Sequence, residues 1–213
     1  MAVYVIGFDP GGKDQGRGKF GWAVLEASAG PSVLATGRSI HAKAAWSAVL
    51  GTVDRESIVS VGIDGPLGYD FDADRQVDRH IRKHLSGPSP STQNSLRGAC
   101  LVQSFLVATL VAGENLGIRI SESYPRAVRT FGGSLRLPET SLGCGQYDAP
   151  CLSGSCDECD AAASGLSGWA MYQVSFGQPP AGWVNWHLDA MGQELFAPEI
   201  EVVVHEYWMP RAA

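Results

Sequence analysis

The sequence predicts an α/β fold with a mixed sheet, organised as one domain over residues 1–213. Two observations carry that expectation. Short apolar runs of strand length alternate with longer segments of helical pattern, and such alternation builds helices on a sheet. A chain of 213 residues with 45% hydrophobic content also suits a single sizeable core. No internal repeat and no low-complexity linker divides it.

VYVIGFD (residues 3–9) is a continuous apolar run and reads as a buried strand. KFGWAVLEAS and SVLATGRSI follow, separated by Ala29-Gly30-Pro31, as two strands joined by a turn. HAKAAWSAVLGTV is alanine-rich and predicts a helix. SIVSVGID (57–64) is a second buried strand, broken by Gly65-Pro66. DADRQVDRHIRKHL predicts an amphipathic helix with Val77, Ile81 and Leu85 at i, i+4, i+8. RGACLVQSFLVATLVAGENLG is a more apolar helix, and IRISES a short strand ending near Glu122. YPRAVRTFGG starts a helix with proline at a tolerated early position. CDECDAAASGLSGWAMYQV predicts the last helix and EIEVVVHEY the last strand.

No apolar run has the length needed to span a bilayer, and no basic-then-apolar signal opens the chain, so the expectation is a cytoplasmic protein with no membrane partner. A net charge of −6 argues against broad, non-specific coating of nucleic acid, while leaving room for acids that hold cations. Cys100 in its apolar run reads as a small buried hydrophobe. Cys144, Cys151, Cys156 and Cys159 crowd into a cysteine-rich loop at about 143–160 with spacing C-x6-C-x4-C-x2-C. Two readings stand open: a structural zinc on all four, or free or oxidised thiols.

GRGKFG (16–21) formally matches G-x-G-x-x-G, but Pro10 to Gln15 intervene after the first strand and a strand follows. A dinucleotide fingerprint needs a helix there, so the glycines read as a turn between strands. The acids form the stronger pattern. Asp9 and Asp64 each close an apolar strand, and Asp157 and Asp160 share one helix face at i, i+3. Taken singly, each is a turn or N-terminal helix residue. Gathered together they repel, since two charges 4 Å apart cost about 4 kcal/mol at an effective dielectric near 20. Proton uptake or a divalent cation relieves that repulsion, and for a cation hard oxygen ligands select Mg2+ or Mn2+.

VIGFDPG…GWAVL, VGIDGPLG and DECDAAASG together resemble the ribonuclease H-like superfamily, especially its Holliday-junction resolvase branch. More narrowly, IDGPLG, RQVDRHIRKHL, ESYPRAV and the DECDAAA helix resemble the predicted RNase H-like nucleases of domain-of-unknown-function family 429, over residues from Val3 to about Gln173. The resemblance implies a three-layer fold, with a mixed five-stranded sheet of order 3-2-1-4-5 and helices on both faces. It carries metal-ligand roles onto Asp9, Asp64, Asp157 and Asp160, with Glu122 as an added ligand or a pocket wall. The activity it implies is metal-dependent phosphodiester hydrolysis on a nucleic acid or nucleotide.

Arg75, Arg79 and Arg82 lie on the predicted helix after Asp64, with Asp78, His80, Lys83 and His84 among them. They are candidates to grip substrate phosphates, against the plainer reading of a solvated helix face. Lys13 and Arg17 in the glycine loop carry the same pair of readings. Trp183, Trp186 and His187 in GWVNWHLD either stack on a base or close a core edge near the Pro-Pro turn. The competing functional class is a non-catalytic binding or scaffold protein stabilised by a four-cysteine zinc site.

Overall fold

The computed structural model describes residues 2–11, 20–27, 30–69, 78–79, 83, 98–114, 117–131, 157–178, 180–185, 194–195 and 205–210. Seven strands form its main sheet: β1 (Tyr4–Pro10), β2 (Phe20–Glu26), β3 (Ser32–Ser39), β4 (Ile58–Asp64), β5 (Arg119–Ser123), β6 (Trp183–Asn185) and β7 (His205–Pro210). Four α-helices have both ends among the described residues: α1 (Ala42–Leu50), α2 (Gly98–Gly113), α3 (Pro125–Phe131) and α4 (Asp157–Val174). A two-residue ladder joins Gly68–Tyr69 to Glu194–Leu195 apart from the main sheet.

The strand order is β3-β2-β1-β4-β5-β7-β6. Its first five strands have the expected order 3-2-1-4-5, with β1, β2 and β3 antiparallel and β1, β4 and β5 parallel. Two further strands extend this five-stranded arrangement: β7 adds parallel to β5 and β6 adds antiparallel to β7. An edge at β5 would leave a row of backbone groups unpaired, and these two strands satisfy it. The Trp208 N–H adds a bond to Ser121 Oγ at 3.1 Å.

Strand alternation sends successive side chains to opposite faces. Ile6, Phe8, Phe20, Val24, Val61, Ile63 and Ile120 enter one core with Trp46 and Val49 of α1 and Val107 and Val111 of α2. Val5, Ala23 and Leu25 enter the other, against Ala161, Ala162 and Leu166 of α4 and Ala127 and Val128 of α3. The molecule therefore has three layers with helices on both faces. α1 is capped by its sequence: His41 Nδ1 accepts from the Ala44 N–H, and Gln103 of α2 accepts from the Ala42 N–H at 2.8 Å. α3 begins on Pro125, as the sequence predicts.

The predicted 72–85 helix is represented by Asp78, Arg79 and Lys83, all helical. Trp183 opens β6 with its indole buried in the α4-side core, the core-edge alternative of its two readings. Among the described residues, no helix is long and apolar enough to cross a membrane.

Candidate functional site

The site begins with a repeated triplet. β1 carries Gly7-Phe8-Asp9 and β4 carries Gly62-Ile63-Asp64, and the two strands are parallel with Gly7 opposite Gly62. The next position along each strand after Phe8 and Ile63 is an aspartate, so Asp9 and Asp64 stand side by side where the two strands end. Both are half-buried.

The glycines determine which face they share. A Cβ built on Gly7 would overlap the Ala161 carbonyl oxygen of α4, and one on Gly62 would overlap the Ser164 carbonyl oxygen. Only glycine lets the helix backbone lie directly on the strand backbone here. With a side-chain period of two, Asp9 and Asp64 lie on the same face as Gly7 and Gly62, the face that α4 covers. Gly21 of β2, paired with Asp9, closes the arrangement, since a Cβ on it would overlap the Asp157 backbone. The first turn of α4 is thus seated over the β1–β2 end.

That first turn holds Asp157, Glu158 and Asp160, where acids complement the helix dipole. Asp157 is 7% exposed and Asp160 8% exposed. The sequence pattern placed all four aspartates in one neighbourhood, and topology brings their positions to one face at one end of the sheet.

Two features lay outside the sequence reading. Arg38 of β3 pairs in register with Gly21, which pairs with Asp9. Its guanidinium Nε lies 2.6 Å from Glu158 Oε2 and 3.4 Å from Asp157 Oδ2. Asp157 is therefore drawn toward an arginine, a role that becomes visible only once the register of two antiparallel pairs is known. On the other side, Ser123 pairs with Asp64 and accepts a bond from Ser167 of α4 at 2.9 Å. A row crosses the end of the sheet: Arg38, Gly21, Asp9, Asp64, Ser123. The spacing of the two G-x-D triplets was the available signal for the helix contact.

Glu122, read from the sequence as an added ligand or a pocket wall, stands one residue before Ser123, the register partner of Asp64. It alternates with Ser121 and Ser123 and so lies on the Ile120 face, opposite α4. It is fully buried, and its Oε1 accepts the Leu67 N–H. Arg79 is exposed, while Arg75 and Arg82 lie outside the described residues. So do Cys144, Cys151 and Cys156, and with them the four-cysteine zinc set. Cys159, the one described member of that set, is buried in the α4-side core. Trp186 and His187 are likewise outside.

The donor chemistry of Asp9, Asp64 and Asp160 suits a hard dication. Among the described residues, however, no three Asp, Glu, His or Cys side chains converge closely enough to hold one ion. What the fold supplies is placement: three aspartate positions on one face, with a fourth held by Arg38. A scan against protein-family models, a search of curated proteins and a search of solved structures each found no match to the chain.

Proposed function

We propose that the chain is a divalent-metal-dependent phosphodiesterase of nuclease type on an RNase H-like fold, acting in the cytoplasm on a nucleic acid or nucleotide. One observation carries the reading: two parallel neighbouring strands end on aspartates of the same face, beneath a helix whose first turn is acidic. Open α/β sheets bind their ligands at the carboxyl ends of strands, where the strand order reverses. β1 is such a point, with β2 and β3 to one side and β4 and β5 to the other.

Asp9 and Asp64 would hold Mg2+ or Mn2+ from the sheet, with water and substrate oxygens completing the shell, while Asp160 would add negative charge to the same end from the helix. When bound, the ion supplies Lewis-acid stabilisation of charge at a phosphoryl oxygen. The chain's own contribution is rigid placement. Helix backbone resting on strand backbone at Gly7 and Gly62 leaves α4 little room to shift, so its acids stay aligned with those of the sheet. Arg38 pairs with Asp157 and Glu158 and so offsets part of the negative charge that the acidic turn brings to the sheet aspartates. No covalent nucleophile is required of the protein.

Asp9→Asn tests this directly. Loss of partners outside the ligand shell typically lowers metal affinity or activity about 10–100-fold, and a direct ligand should exceed about 100-fold. The expected result is manganese uptake and manganese-dependent cleavage of DNA, RNA or a dinucleotide by the wild type, both lost in Asp9→Asn. Equal calorimetric traces for the two proteins would remove the carboxylates from any metal role and end the proposal.

A further inference from the structure

Glu122 presents a problem that the carboxylate site does not solve. A fully buried carboxyl group is costly unless hydrogen bonds compensate it, and Glu122 has no exposure at all. Strand alternation excludes it from the face of Asp9 and Asp64. Its register partner is Ile63, the residue before Asp64, and its Oε1 accepts the Leu67 N–H, three residues after Asp64. The side chain thus reaches from β5 beneath the turn that follows the aspartate.

That turn is tightly built. Gly65 has φ +157°, a conformation other residues rarely adopt, and a Cβ there would meet Ser104 Oγ of α2. The Gly65 N–H returns to the Ile63 carbonyl at 3.0 Å. Asp64 therefore sits between a sheet register on one side and an anchored turn on the other. The Leu67 anchor belongs to Glu122.

We propose that Glu122 is a positioning residue for Asp64: by accepting the Leu67 N–H it anchors the turn that fixes the aspartate's backbone, and it is not itself a metal ligand. This rests on the metal reading of Asp64. It replaces the expected roles of ligand or pocket wall with one exerted through the backbone, from the opposite face of the sheet.

The two roles separate on conservative substitution. Glu122→Gln keeps an Oε1 acceptor and removes the charge, whereas Glu122→Met fills the buried volume without an acceptor. Manganese binding is measured by calorimetry on the wild type, both variants and Asp64→Asn, with a thermal melt confirming that each is folded. The expected Kd is within about threefold of wild type for Glu122→Gln. For Glu122→Met it is about 10–100-fold weaker, the range for groups that orient a ligand.

A Glu122→Gln protein that loses manganese as completely as Asp64→Asn makes Glu122 a ligand and overturns the proposal. A folded Glu122→Met protein with wild-type affinity makes the bond merely structural and overturns it equally. If Glu122→Met does not fold, amide exchange at Leu67 in the wild type decides. Slowing on addition of manganese is expected, and an unchanged rate overturns the coupling. Identical binding by wild type and Asp64→Asn, or none by either, is a different result: it removes the metal reading itself, and this proposal with it.

Discussion

The two faces of the sheet are made from alternate residues of the same strands, yet they are built on different principles. Toward α1 and α2 the strands present Ile6, Phe8, Phe20, Val24, Ile63 and Ile120, large side chains interlocking with Trp46. Toward α4 the central strands present Gly7, Gly21, Ser60 and Gly62, and the helix answers with Ala161, Ser164, Gly165 and Gly168. The first face buries much apolar area per residue and so supplies stability. The second centres on smaller side chains that bring backbone against backbone, with Ser60 Oγ donating to the Gly168 carbonyl at 2.8 Å. Small residues cost burial and gain position. The candidate site lies on the face where position is specified.

Truncation on the large-residue face should cause the greatest loss of stability with the least change in the site's own chemistry. Phe8 meets Phe20 at a centroid distance of 5.8 Å and Trp46 at 6.3 Å, both edge-on. Phe8→Ala is expected to cost about 3–5 kcal/mol, as for other buried aromatics. Urea unfolding measures it. Protein that remains folded should bind manganese with near wild-type affinity, and a large loss of affinity would show that the two faces are not separable in this way.

Enlarging a glycine on the other face reverses the pattern. Gly62→Ala places a methyl group into the Ser164 carbonyl, and neither backbone can yield cheaply. Overpacking typically costs about 1–3 kcal/mol, a Tm change of roughly 2–4 °C per kcal/mol for a chain of this size. That is less than for Phe8→Ala, but α4 must lift from β4. Manganese affinity should therefore fall more steeply than stability does. A Gly62→Ala protein with lowered Tm and unchanged affinity would mean that the seat of α4 does not position the acids.

This division explains what was legible in the sequence. Buried strands announce themselves through continuous apolar runs, so β1 and β4 were readable from VYVIGFD and SIVSVGID, and α4 from its alanine-rich run. Asp9 and Asp64 were legible because each interrupts such a run. Arg38 was not, because its role depends on two strand registers that no local pattern encodes. Glu122 was found as an acid near a strand end, yet its face follows from counting alternation against Ile120, and the reading from resemblance placed it with the other acids. β6 was missed because a three-residue strand carries no period. Its pairing depends on β7.

The smallest effect is expected at the rim of the large-residue face, far from the aspartates. Arg55 donates from Nε to Glu56 at 3.0 Å and from Nη1 to Glu114 at 3.2 Å, and the other oxygen of Glu114 accepts the Trp46 indole N–H at 3.1 Å. The Glu56 carboxyl is lowered from its ordinary 4.5, first by its own backbone N–H and then by Arg55. A carboxyl depressed in the folded protein binds its proton more weakly there than in the unfolded chain. Its stabilisation is complete above about pH 4.5 and drains away as pH falls through the lower folded value. Arg55, raised by its hydrogen bonds to Glu56 and Glu114, acts in the opposite sense: its contribution is present below its own strongly basic range and is lost only beyond any useful measurement. Both groups are fully exposed, so salt screens most of the effect. Thermal melts of wild type and Glu56→Gln should differ slightly at neutral pH and in low salt, and converge in acid or in high salt. Manganese affinity should be the same in both proteins at every pH where they are folded. If Glu56→Gln altered it, a charge at the outer edge of one face would be acting on the other, and the separation of a stabilising face from a positioning face would fail at its least demanding test.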